Sequence, residues 1–282
     1  MGKNYIDIFE KPPVEKQDLE LFYKVSDKYL EELNRHDDKY LKTYIDFISK
    51  YIKEDQKILD LGCGNGRSAY LLSKLRNNLL VIGCDISFKF LNSLSNLERN
   101  DIESLTANAA YLPFKNEEID VVSSFQLIEH IVEVEKVLCE MIRILKKDGI
   151  IIILSPNLVS PFPPIKDMIK RSLNKKIYKG KGDSIYKSLC LSMRNIFITL
   201  DKIRDKDVNF IFRKPSLSED DLGHDLDSVY LANQVDIKKF LRRKGFKIIN
   251  IAKGMSFGGT VLARLFPNFS GEIGIVAKKV SL

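Results

Sequence analysis

The sequence predicts an α/β fold: a doubly wound, mostly parallel sheet with helices on both faces and an inserted helical lid. Three observations predict it. From Lys57 onward, short apolar runs alternate with stretches of helical periodicity. A glycine-rich turn, Gly62-Cys-Gly64-Asn-Gly66, follows the first run. The alternation breaks at Ser155 and resumes near Val235.

Residues 1–52 read as an N-terminal helical cap. Leu19, Phe22, Tyr23, Leu30 and Leu33 recur at helical spacing, as do Tyr40, Leu41, Tyr44, Ile45 and Ile48. Residues 53–156 then alternate. Lys57–Leu61 is a buried strand and Arg67–Leu75 a helix; Leu79–Cys84 is a second strand and Phe88–Leu97 a second helix. Ile102–Thr106 is a weaker third strand and Ile119–Ser123 a fourth. A helix over Val132–Leu145 leads through a Lys147-Asp148-Gly149 turn to a fifth strand, Ile150–Leu154. Pro156, Pro161, Pro163 and Pro164 make a rigid exit from the sheet.

Residues 157–230 form the inserted lid. Its stripe of Ile185, Leu189, Met193, Ile196, Leu200 and Ile203 reads first as a face packed on the domain, with contact to lipid as the alternative. Residues 231–282 complete the sheet, with a helix near Val235–Lys244 and strands at Phe246–Ile251 and Ile273–Lys279.

The 282 residues suffice for a substantial core, and 44% apolar with 29% charged residues is ordinary for a globular chain. The longest apolar run, Ile150–Leu154, is too short to span a bilayer, and Met1–Lys16 does not resemble a secretory leader. The expectation is a cytoplasmic protein, with peripheral membrane contact through the lid left open. The four cysteines form no Cys-x-x-Cys pair, so neither zinc nor redox chemistry is expected, and no metal site is assigned. Charge is uneven. Asn157–Pro215 holds fourteen Lys/Arg against five Asp/Glu, a net +9 in a chain of net +7. Such a segment suits anionic partners: a phosphorylated acceptor, a membrane surface or nucleic acid.

The glycine loop carries the chemistry. Glycines let backbone turn tightly and approach a ligand, and the loop opens at the carboxyl edge of the sheet, where such sheets bind ligands. A dinucleotide site needs Gly-x-Gly-x-x-Gly, but Arg67 stands where its last glycine belongs. No Gly-Lys-Ser/Thr follows, which excludes a Walker phosphate loop. Asp85, ending the second strand, can accept from both ribose hydroxyls or cap the next helix.

Four segments together resemble the class I S-adenosylmethionine-dependent methyltransferases, particularly their small-molecule branch. They are Ile58–Gly66, Asp85, Ala107–Phe114 with Ile119–Val122, and Arg143–Gly149 before an apolar strand. The resemblance implies a Rossmann-like seven-stranded sheet with the last strand antiparallel. It implies S-adenosylmethionine as cofactor, with Gly62, Gly64 and Gly66 beneath its methionine and ribose. Asp60 would lie near the methionine end, Asp85 on the ribose, Ile86 against the adenine and Asn108 in the adenine-side loop, with Ala109 and Phe125 also counted as cofactor-binding. The family usually has aspartate where Asn108 stands, which removes a charge beside the adenine amino group.

His130 and His224 are the candidate catalytic bases; the first follows the fourth strand and the second sits where the lid rejoins the sheet. The acceptor expected is a small molecule, through a hydroxyl of a sugar, quinone-like or lipid-linked compound, with an anionic group suited to the lid. No Asn-Pro-Pro-Tyr follows the fourth strand, which disfavours amino-methylation of adenine or glutamine, and Cys139 lies inside a helix rather than at a nucleophile's position. A catalytically silent binding subunit and an RNA methyltransferase using the basic lid are the alternatives.

Overall fold

The protein was analysed as a computed structural model, which describes residues 7–35, 38–95, 102–172, 184–218, 225–251 and 265–280. His36 and the candidate base His224 lie outside those residues. Seven strands form one sheet: β1 (Lys57–Leu61), β2 (Leu80–Asp85), β3 (Ile102–Thr106), β4 (Ile119–Phe125), β5 (Leu145–Pro156), β6 (Phe246–Ile251) and β7 (Glu272–Lys279). Their spatial order is β3-β2-β1-β4-β5-β7-β6. The strands from β3 across to β5 pair in parallel, and β7 runs antiparallel to both β5 and β6. The strand order reverses between β1 and β4, and a crevice opens there at the carboxyl ends.

The apolar runs build this sheet because they feed both faces. Leu59, Leu61, Val122, Ile151 and Ile153 enter one core with Val137, Leu138 and Met141 of α6 (Val134–Ile144) and Ile237 and Leu241 of α9 (Gln234–Arg243). Their neighbours Ile58, Val121, Ile152 and Leu154 enter the other core with Leu72 of α4 (Arg67–Ser73) and Leu91 of α5 (Phe88–Ser95). Successive strand residues point to opposite faces, so a run of isoleucines serves both.

The 1–52 segment divides by its packing. The third helix, α3 (Asp38–Ile48), puts Tyr44, Ile45 and Ile48 into the second core and so covers the sheet. The first two, α1 (Lys16–Val25) and α2 (Asp27–Arg35), lie over the crevice.

Two local expectations change. The Lys147–Gly149 turn sits inside β5 rather than before it. Leu145 already pairs with Ile119, and pairing resumes at Ile150 with Val121, so the extra residues bulge out. Asp148 takes the left-handed conformation there, at φ 61°. Gly149 is needed for space instead: a Cβ would sit 2.7 Å from Leu145 Cγ and 3.0 Å from the Asp120 carbonyl. The proline exit also becomes a helix, α7 (Phe162–Ser172). Pro163 and Pro164 fall in its first turn, where backbone N–H groups have no intrahelical partner to lose. The lid's long helix is α8 (Ile185–Arg204). Among the described residues no helix is long and apolar enough to cross a membrane.

Candidate active site

The loop between β1 and α4 holds Gly62, Gly64 and Gly66 at φ +76°, +56° and +77°. Side chains resist that region, which accounts for the three glycines. Space adds a second reason at Gly62, where a Cβ would meet the Leu127 side chain at 2.8 Å. The loop is tied to β2: the Gly62 and Cys63 N–H groups both donate to the Cys84 carbonyl, at 2.7 and 3.1 Å.

Asp85 is the hinge of this arrangement. Its Oδ2 accepts from Gly64 N–H and its Oδ1 from Ser87 N–H, each at 2.9 Å. Both readings of this residue, cap and ligand, are therefore available at once. A carboxylate has about four acceptor positions, and the Gly64 and Ser87 bonds take one on each oxygen. Burial raises its pKa, while the N–H groups of Ser87, Gly64 and Ile86 hold the charged form and limit the rise.

Asp60 lies beneath the loop, 1% exposed. Ser68 of α4 donates to it at 2.5 Å and Ser123 of β4 at 3.1 Å. Burial pushes its carboxyl up to about 6. In this position it fastens β1, β4 and α4 together under the glycines. Phe125 stacks on Tyr44, with ring centroids 4.2 Å apart. Asn108 accepts from Ala110 N–H at 2.9 Å and donates to Glu20 of α1 at 2.7 Å. Ile86 and Ala109 are half-buried beside these groups. The glycines and the Asp85 carboxylate thus meet at the carboxyl edge of β1 and β2 with Asp60 buried beneath them, and this arrangement suits a nucleoside-type ligand: glycines at the floor and an acceptor carboxylate on the wall.

His130 sits on a short helical turn, Ile128–His130, directly after β4. Leu127, which leads into that turn, is the side chain that presses on Gly62. Nδ1 of His130 is 2.8 Å from the Tyr23 hydroxyl and 3.3 Å from Asp227 Oδ2. Tyr23 donates its own proton to Asp227, at 2.9 Å. The Tyr23 oxygen is then free to accept, which places the imidazole proton on Nδ1 and leaves the Nε2 lone pair open. Tyr29 of α2 packs edge-on to Tyr23 and stacks on Phe90. Its hydroxyl is held well above its ordinary pKa by burial and by the nearby Asp227, Glu129, Asp85 and Asp225. Tyr29 therefore feels both Asp85 and the acidic groups around His130.

Glu129 is fully buried. Its Oε2 accepts from Ser155 at 3.0 Å, while Oε1 has no hydrogen-bond partner among the described residues and lies 3.8 Å from His130 Nε2. Burial pushes its carboxyl up to about 7. The sign of the resulting pH effect is fixed. A pKa raised in the folded state above 4.5 means the folded protein binds the extra proton, so stability falls as pH rises from about 4.5 through 7. The full effect is about 3 kcal/mol. Glu129→Gln lacks this penalty. Its melting temperature is expected to exceed the wild type's by a margin that grows between pH 5 and pH 8; a pH-independent margin would contradict the assignment.

Tyr23, Tyr29, Asp227 and Glu20 were not singled out as site residues from the sequence. Tyr23 figured only as an apolar helix position. Asp227 carried a faint signal, since it closes the acid-rich segment that contains His224. Cys63 and Cys84 are buried with thiols held high by burial, Cys84 at about 12, so neither is poised as a nucleophile.

Known proteins carry the same pattern. A family model described as a methyltransferase domain matches residues 59–153. An uncharacterised protein of Methanocaldococcus jannaschii, MJ1252, is 28% identical over 243 residues, 83% of this chain and 80% of that protein. The ubiquinone/menaquinone biosynthesis C-methyltransferase UbiE of Campylobacter jejuni is 36% identical over 112 residues, 38% of this chain and 47% of its own. The chain thus spans about half the length of that relative. Among solved structures, a candidate S-adenosylmethionine-dependent methyltransferase of Listeria monocytogenes aligns with a TM-score of 0.56 at 15% identity, covering 85% of this chain and 99% of that one. At that identity the likeness speaks for the fold.

Proposed function

We propose that this chain, whose residues 59–153 match a methyltransferase domain on a Rossmann-like sheet, is a class I S-adenosylmethionine-dependent methyltransferase that methylates a small aromatic, quinol-like acceptor activated through a hydroxyl group. The observation that carries this reading is the Tyr23–His130–Asp227 cluster beside the glycine loop. The name of the UbiE relative points the same way, since that protein acts in quinone biosynthesis. Phe22, Tyr23, Tyr29 and Phe90 add an aromatic wall suited to a flat ring.

When bound, S-adenosylmethionine supplies an electrophilic methyl group on a sulfonium. The residues of this chain do the rest. Gly62, Gly64 and Gly66 would give close backbone approach, Asp85 would receive the ribose hydroxyls with its spare acceptor positions, and Ile86 and Ala109 would flank the adenine, with Phe125 at the end of β4 on the far side of the loop. Tyr23 and Asp227 hold the His130 ring so that Nε2 takes the proton from the acceptor hydroxyl. Removing that proton enriches both the oxygen and the adjoining ring carbons in electron density. Positioning against the donor supplies much of the remaining acceleration. Closure of α1 and α2 over the crevice excludes water.

Asn108 lacks the charge that the family usually places at the adenine. Glu20 restores it from the opposite side, since its carboxylate is held at the Asn108 amide and steadied by Lys16 and Lys24. Glu20→Gln is expected to weaken S-adenosylhomocysteine binding about tenfold by calorimetry, the weight of one hydrogen bond to a charged group. Unchanged affinity would remove Glu20 from the cofactor site.

The activity test uses isotopically labelled S-adenosylmethionine with a panel of hydroquinones and catechols, read by mass spectrometry. Label in a phenolic product supports the reading. Label entering RNA alone, or cofactor binding with no turnover on any acceptor, would overturn it in favour of an RNA enzyme or a silent subunit.

A further inference from the structure

Helix α8 is inside out. Its buried residues are polar: Ser188, Ser192, Asn195 and Thr199 are at most 2% exposed, and Lys202 is 7% exposed. They recur at helical spacing and face the chain that leaves β5. Ser192 donates to the Pro161 carbonyl at 3.0 Å, Asn195 to Ser160 at 2.9 Å and Thr199 to Val159 at 3.4 Å. Lys202 ends the row with a buried ion pair to Asp236 at 2.6 Å. The opposite face is apolar and open: Tyr186, Leu189, Met193 and Phe197 are between 47% and 75% exposed. The residues of the predicted packing stripe go with it, since Ile185, Leu189, Met193 and Ile203 are exposed and Ile196 and Leu200 are only half-buried.

Every polar anchor of this helix is thus spent on the body of the protein, and its apolar side has no cover among the described residues. A scattered exposed leucine is ordinary, but four large side chains in register along a helix form a surface with a purpose. Charge decides what meets it. Residues 157–215 carry a net +9, and Lys187 of α8 and Lys166 of α7 stand exposed within that stretch. A second copy of the chain would bring the same positive charge to the same face. An anionic bilayer brings the opposite one, together with an apolar layer beneath its headgroups.

We propose that α8 is a membrane-docking helix: Tyr186, Leu189, Met193 and Phe197 insert into the interfacial layer of an anionic bilayer while the surrounding lysines and arginines meet lipid phosphates. The docking is peripheral, and it is independent of which acceptor the active site takes.

The test is co-sedimentation of the full chain with phosphatidylcholine vesicles, with and without one third phosphatidylglycerol. Wild-type protein is expected to bind the anionic vesicles at least about tenfold more tightly than the neutral ones, with affinity falling as salt rises. Met193→Glu with Phe197→Glu is expected to lower binding by about tenfold or more, because the inserted apolar area is lost, at an unchanged melting temperature. Should that pair fail to fold, Tyr186→Ser with Phe197→Ser makes the same cut without new charge. Wild-type protein that stays in the supernatant, or variants that bind as well as wild type, would overturn the proposal. So would a wild-type dimer that ignores vesicles and dissociates on the same substitutions, which would assign the face to contact between copies.

Discussion

Asp85→Ala is expected to weaken binding of S-adenosylmethionine and S-adenosylhomocysteine by about a hundredfold or more, and so to erase their stabilisation of the protein against heat. The magnitude follows from losing two hydrogen bonds to a charged acceptor. A second effect adds to it. Asp85 also accepts from Gly64 and Ser87, so its removal loosens the loop that forms the floor of the site. Asp85→Asn separates the two. The amide oxygen keeps one of the two N–H partners, Gly64 or Ser87, while the NH2 group faces the other and the charge is gone; its unliganded melting temperature should fall less than that of Asp85→Ala, with much of the affinity lost. Titration calorimetry reads both variants. Near-normal affinity in Asp85→Ala would show that Asp85 is only a cap for α5 and would move the ribose elsewhere.

The second large effect belongs to His130. Replacing it with alanine is expected to lower kcat by a factor of about 10²–10⁴, the usual reach of a general base. Affinity for S-adenosylhomocysteine should change little, since His130 stands beyond the glycine loop. Asp227→Asn and Tyr23→Phe keep the imidazole and alter only the groups that orient it. Both should reduce kcat by less than His130→Ala, with a small change in KM. An acceptor assay in which His130→Ala keeps full kcat would sink the base assignment and leave His130 as a structural residue of the turn. The same assay on Glu129→Gln adds a useful contrast, for that variant is expected to be the more stable protein at alkaline pH. A buried carboxyl that costs stability is tolerated where an active site uses it.

The sheet and the glycine loop were legible in the sequence because both are local. Ile58–Leu61 and Ile150–Leu154 are continuous apolar runs, and a strand buried on both faces has to look like that. The loop announces itself through three glycines at fixed spacing, each now seen at positive φ. What stayed hidden depends on distance in the chain or on direction. Tyr23 and Asp227 meet at His130 from 107 residues before it and 97 after it, and nothing local marks that meeting. The turn at Lys147–Gly149 was visible, but not that β5 begins before it, because strand pairing of Leu145 with Ile119 is a contact between elements. The lesson of α8 is sharper. Helical periodicity finds a stripe but is silent on whether the stripe faces in or out; here Ser192, Asn195 and Thr199, each donating to a backbone carbonyl, decided it.

The placement of α1 and α2 has a consequence for the order of events in turnover. Leu33 and Asn34 close over Gly64 and Asn65, Glu20 reaches Asn108, and Tyr23 and Tyr29 wall in His130. One pair of helices therefore stands over both the glycine loop and the His130 cluster. On the proposed function, opening of α1 and α2 would uncover both places together, so a substitution that loosens this pair should alter release of spent donor and of methylated product alike.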